Sequence, residues 1–188
     1  MAKVLLYNID ENYDMEKFEL LAVKNKVQIV RAEKEDIDQY VGYLVGHEGY
    51  EKRDEKLEDD PSLDFPFILF ENFDRDQLFA FLDDMRQAGL SIQHKAGETE
   101  NNVKWTLRQL LTENDREGKM MGLIHKINGL VEKAAYLKDQ YGEDQKLANL
   151  IDEMQAYFDD SSLFELEVAQ NYYLKLADEI KRVEEENK

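Results

Sequence analysis

The sequence predicts an α/β fold: a four-stranded, mostly parallel sheet of strand order 2-1-3-4 built from two βαβα units, followed by a C-terminal helical bundle. Three observations carry this reading. Short apolar runs alternate with helical patterns twice over residues 1–115. The stretches "LLYNID" and "LFENFD" occupy the same point in each cycle, at a strand end and a helix start. The last third, residues 116–188, has helical periodicity throughout and no strand-like run.

In chain order, "KVLLYN" (3–8) reads as a strand, and residues 11–24 as a helix with Met15, Phe18, Leu21 and Ala22 on one side. "VQIVR" (27–31) is the second strand, followed by a helix over 35–45 carrying Ile37, Tyr40, Val41 and Leu44. The cycle restarts with "FPFILF" (65–70), whose Pro66 sits where a strand can spare an N–H. "DRDQLFAFLDDMRQAG" (74–89) has a capping box in Asp74 and Gln77, a hydrophobic staple in Phe73 and Leu78, and Gly89 as its C-terminal stop. "LSIQHK" (90–95) alternates as a half-exposed strand, and residues 100–113 read as a helix. Single helices between strands favour parallel pairing, with the topological switch between strands 1 and 3. A ferredoxin-like antiparallel arrangement fits this element order less well.

Between the two halves, "GHEGYEKRDEKLEDDPSLD" (46–64) is long, charged and poor in apolar residues, so it reads as a mobile excursion. In the last third, Met120, Ile124, Ile127, Val131, Ala134 and Tyr141 follow a near-heptad spacing over 117–141, and Gly142 stops that helix. A second helix over 144–158 carries Leu147, Leu150, Ile151, Met154 and Phe158. Ser162 and Glu165 form a capping box for the last helix, whose Leu166, Ala169, Tyr173, Leu176, Ile180 and Val183 make one seam. The predicted organisation is an α/β domain over 1–115 and a three-helix region over 116–188 packed on it.

Charge narrows the function. The formal net charge is −18, with 14 basic against 26 acidic residues up to residue 115 and 10 against 16 beyond it. Such a field repels phosphate backbones, so no nucleic-acid partner is expected. Cysteine is absent, which removes thiolate catalysis, disulfides and cysteine zinc sites. No run approaches the roughly 20 apolar residues of a membrane span. "MAKVLLYNIDEN" turns acidic too early for a signal peptide, so a cytoplasmic chain is expected.

Two groups of residues are candidate sites. Asn8 and Asp10 with Glu71, Asn72 and Asp74 stand at paired strand ends, where a parallel sheet binds ligands; no cofactor is expected, though clustered carboxylates there could hold Mg. The same residue types also cap helices and shape turns. The second group is Lys95, Thr99, Asn102 and Trp105, a candidate interaction surface beside a helix N-terminus. Trp105, the single tryptophan, falls on the polar side of the 100–113 helix, so it is expected to anchor the α/β part to the helical part or to a partner. His47, His94 and His125 lie in separate elements without metal-ligand spacing, and no catalytic triad or phosphate loop is present in the sequence.

The stretch "HKAGETENNVKWTLRQLLTE" resembles the Lys-Ala…Thr…Asn…Trp-Thr…Leu-Leu pattern of a domain-of-unknown-function family of small bacterial cytoplasmic proteins. Lys95, Ala96, Thr99, Asn102, Trp105, Thr106, Leu110 and Leu111 carry the resemblance, which covers about 65–115 well, extends weakly over the N-terminal half and does not reach the helical third. It implies a fold unit and a bacterial cytoplasmic setting, without a reaction. The function expected is a non-enzymatic protein-interaction or regulatory module with a protein partner, or a homodimer formed through the last helix. The alternative is a ligand- or metal-binding enzyme using the sheet switch point.

Overall fold

The computed structural model describes residues 1–58, 60–159 and 165–187. They fall into two compact units, Met1–Arg116 and Glu117–Lys188.

The first unit is built on a four-stranded sheet of order β2-β1-β3-β4, with β1 at Lys3–Tyr7, β2 at Gln28–Ala32, β3 at Phe67–Glu71 and β4 at His94–Gly97. Pairs β1–β2 and β3–β4 are parallel, as their intervening helices α1 (Met15–Lys24) and α3 (Arg75–Gln87) require. The central pair, β1–β3, is antiparallel, so the sheet is mixed. The cause lies in handedness. Phe18 and Ala22 of α1 share one core with Phe81 and Met85 of α3, so both helices cover the same face. A right-handed crossover from β1 leads one way across the sheet, and one from β3 leads the other way. With both helices on one face, that is possible only if β1 and β3 run in opposite directions. The two βαβ halves are thus related by a pseudo-twofold axis perpendicular to the sheet.

Both faces are covered, which is why the central strands read as continuous apolar runs. Val4, Leu6, Ile68 and Phe70 point to the α1/α3 face. Leu5, Tyr7, Phe67 and Leu69 point to the other, against Val41 of the short helix α2 (Val41–Leu44), Val45, and Leu107, Leu110 and Leu111 of α4 (Leu107–Tyr141). The sequence-predicted helix over 35–45 is broken into a 3₁₀ turn at Lys34–Asp36 and α2. Residues 37–41 are occupied otherwise. The carbonyls of Gln39 and Ile37 accept from Leu107 N (2.9 Å) and Arg108 N (2.7 Å), and Val41 N donates to Trp105 O (2.9 Å). These contacts satisfy amides that the start of α4 would otherwise leave without partners. Thr106 completes that end: its hydroxyl accepts from Gln109 N while Gln109 Oε1 accepts from Thr106 N, a full capping box.

Trp105 is therefore outside the helix, in extended conformation, and its half-buried ring packs against the second core of the first unit. The polar helix face expected for Trp105 does not exist, because the helix begins only at Leu107.

In the 46–64 excursion, expected from its charge to be mobile, Arg53 and Leu57 are hydrogen-bonded to the segment before α2. The side chain of Gln39 exchanges two 2.8 Å hydrogen bonds with the backbone of Arg53, and Leu57 N donates to Asp38 Oδ2 at 2.9 Å. The Arg53 guanidinium lies 5.0 Å from the Tyr40 ring centroid. Tyr50 lies so close over Gly42 that a Cβ there would come within 2.6 Å of its ring. Polar residues at 38, 39 and 53 secure what apolar periodicity could not reveal.

The second unit comprises α4 beyond residue 116, α5 (Gln145–Asp159) and α6 (Leu166–Glu186). Its core contains Ile127, Ala134, Leu147, Met154, Leu176, Ile180 and Val183, all on the seams read from sequence, and also Leu137, which the sequence reading leaves out; Tyr141, placed on the seam by its spacing, is exposed. Helices expected at 100–113 and 117–141 are one helix from Leu107, since glycines at 118, 122 and 129 weaken a helix without breaking it. Gly142, at φ 93°, ends it. Arg182 joins Asp144, the cap of α5, to Glu179 of α6 at 2.7 and 2.8 Å. Of the Ser162–Glu165 box, Ser162 lies outside the described residues. No helix among them is long and apolar enough to cross a membrane.

Asp38 and Arg108 form a mostly buried pair at 2.6 Å, and the guanidinium holds the Asp38 carboxyl below its ordinary range. Asp38→Asn is expected to cost on the order of 3 kcal/mol at neutral pH. Because the folded-state pKa is depressed, this contribution is complete above about pH 4 and fades as pH falls through the folded value. Urea unfolding of both proteins between pH 7 and 3 checks it: the gap should narrow on acidification.

Candidate functional site

The antiparallel centre of the sheet separates the residues expected to share a switch-point crevice. Tyr7, at the end of β1, pairs with Phe67 at the start of β3, whereas Glu71 pairs with Lys3. Asn8 and Asp10 therefore lie at the opposite end of the sheet from Glu71, Asn72 and Asp74; even Asn8 and Glu71 are five residues, roughly 17 Å, apart along the strands. The echo between the two stretches is still structural. Asn8 and Asn72 both adopt positive φ, 48° and 55°, in the residue directly after a strand.

Asn8 and Asp10 line a cavity of about 290 Å³ with Tyr13, Arg31 and Glu33. Asp10 Oδ1 accepts from Asn12 N and Nδ2 at 2.6 and 2.7 Å, and these bonds lower its pKa. Tyr13 Oη is buried there without a hydrogen-bond partner, and desolvation pushes its pKa up to about 12. Asp74 caps α3 by accepting from Gln77 N at 2.8 Å. In the second candidate group, Thr99 and Asn102 bond each other reciprocally, at 2.8 and 3.1 Å, around the 3₁₀ turn Asn102–Lys104. Lys95 Nζ donates to Ile92 O at 3.3 Å.

Glu71 belongs to a different constellation, at the end of the sheet where β3 and β4 finish and β1 begins. Residues 3 and 71 are register partners across β1 and β3, and Glu98 extends the β3–β4 ladder by donating its N–H to Phe70 O at 2.9 Å. Lys3, Glu71 and Glu98 have the parity of Leu5, Leu69 and Ala96, so they continue the α2 face of the sheet as one polar row. His47 reaches this row from the end of α2. Gly46, at φ 79°, turns the chain, with Gly46 N bonding Tyr43 O and His47 N bonding Gly42 O. This is a Schellman motif, and it sets His47 directly after the turn.

The distances are short. His47 Nε2 is 3.5 Å from Glu71 Oε1 and 3.2 and 3.3 Å from the two oxygens of Glu98. One ligand atom from each residue lies within 4.8 Å of the others. Glu71 is 5% exposed, and its Oε2 has no hydrogen-bond partner; its nearest cation is Lys3 Nζ at 3.8 Å. Metal bonds of about 2.0–2.2 Å put tetrahedral ligand pairs roughly 3.3–3.6 Å apart, the spacing that His47 keeps to both glutamates. A single Nε2 proton could serve only one of those carboxylates well, whereas one ion could serve both.

Of the residues singled out from sequence, Glu71 alone enters this cluster. His47 reads as isolated in the sequence because its partners are 24 and 51 residues away, and Glu98 falls three residues beyond the strand read at 90–95.

Residues 66–121 match the model of a domain of unknown function, DUF3783. The match spans β3, α3, β4 and the first turns of α4, and so contains Glu71 and Glu98 but not His47. No curated protein and no solved structure matches the chain significantly.

The unpartnered phenol of Tyr13 leads to a simple expectation. Since an unsatisfied buried hydroxyl is destabilising, Tyr13→Phe should leave stability unchanged or raise it by about 1 kcal/mol, read as an equal or higher urea midpoint.

Proposed function

We propose that the first unit is a divalent-metal-binding module, with His47, Glu71 and Glu98 as ligands. The observation that carries this reading is the buried Oε2 of Glu71, which has no hydrogen-bond partner, in a group whose imidazole stands at metal-ligand spacing from two carboxylates. One imidazole and two carboxylates suit Zn²⁺ or Mn²⁺ better than Mg²⁺, which favours an all-oxygen octahedron. Bound there, the ion would tie the turn after α2 to the ends of β3 and β4. Three protein ligands leave at least one position for water or for a donor from a partner. This supports a metal-dependent interaction or regulatory module, in keeping with the non-enzymatic function and the bacterial cytoplasmic setting expected from sequence. The acidic surface would favour a basic protein partner.

Thermal unfolding with Zn²⁺ or Mn²⁺ tests the proposal. Metal at 100 times its Kd adds about 2.7 kcal/mol to the native state, a rise of several degrees for a unit of this size. His47→Ala and Glu71→Gln should abolish the rise while remaining folded, and Mg²⁺ should give a smaller one. An equal rise in the variants would mean diffuse binding to the acidic surface and would overturn the assignment.

A further inference from the structure

Resting on that metal-site reading, we infer that Lys3 is a built-in competitor of the metal, an internal cation that sets how tightly the site binds. Three observations converge on it. Residue 3 is the register partner of residue 71, so the strand pairing itself puts the ammonium beside the carboxylate. The Nζ stands 3.8 Å from Glu71 Oε2, an ion-pair distance, yet it spends a hydrogen bond on the carbonyl of Val45 and leaves Oε2 without one. The lysine side chain is only 21% exposed, so its charge is felt with little screening by water.

The consequence is electrostatic. With a neutral imidazole, two glutamates and one ammonium leave the cluster a single negative charge, and a divalent ion must bind against the repulsion of Lys3. The ammonium offsets the cost of burying Glu71 when no metal is bound. A metal takes over that role when it arrives, and the two cations are then in conflict. Lys3 also bonds the residue at the end of α2, two positions before His47, so the lysine holds the His47 turn against the sheet in the metal-free protein. Metal and lysine thus stabilise one arrangement by alternative means.

The test compares the full chain with Lys3→Met, Lys3→Gln and Lys3→Arg, using Zn²⁺ titration calorimetry and thermal unfolding with and without Zn²⁺. Lys3→Gln drops the charge but keeps an N–H donor; Lys3→Arg keeps the charge. The two neutral variants should melt lower than wild type without metal, bind Zn²⁺ about tenfold tighter or more, and gain more from it in melting temperature. The arginine variant should bind like wild type. Wild-type binding with equal or weaker binding by both neutral variants overturns the competitor role and leaves the metal site standing. Neutral variants that remain unfolded even with Zn²⁺ also overturn it, since the ion is meant to replace the ammonium. No binding by any folded protein, wild type included, overturns the metal site itself.

Discussion

The handedness of the strand–helix–strand crossover is the constraint on which this molecule rests. Given the order 2-1-3-4 and two helices on one face, it dictates that the central strands oppose each other. Everything at the ends of the sheet follows. The end of β1 and the end of β3 are carried to opposite poles, and the start of β1 is brought beside the end of β3. Lys3 and Glu71 meet for that reason, and the carboxylates at 10 and 74 do not.

A second consequence concerns the face that α1 and α3 leave bare. It is covered by pieces with little regularity of their own: a broken helical segment, a hydrogen-bonded excursion and the first turns of α4. Such pieces cannot rely on helical stacking, so polar clips hold them, with Asp38, Gln39 and Arg53 joining segments that apolar packing alone would leave loose. The backbone bonds between 37–41 and 105–108 serve the same end and explain why the tryptophan lies in this covering layer.

Strand order, the parallel outer pairs, the α3 caps and the seams of the C-terminal helices were legible in the sequence, because each is written in local periodicity or in a capping residue at fixed spacing. The direction of β1 against β3 was not, since periodicity says which face a residue takes but not which face a helix covers. The broken helix over 35–45 and the hydrogen-bonded excursion were hidden by the same kind of gap: their determinants are hydrogen bonds between side chains such as Gln39 and a backbone 14 residues away. The cluster at His47 was half legible. Glu71 ends an apolar run with a charge, a local signal, but Glu98 lies beyond the strand read at 90–95, and the histidine joins them only through a turn whose destination depends on the whole covering layer.

The pseudo-twofold axis of the sheet has one more implication. Rotation about it exchanges the row Lys3, Glu71, Glu98 with the row Phe67, Tyr7, Ala32, and this second row is wholly buried among apolar neighbours. One pole of the sheet is ionic and reachable, while its counterpart is greasy and sealed. A fold with near-symmetric halves therefore presents two chemically unlike poles, and polarity, not backbone shape, breaks the symmetry.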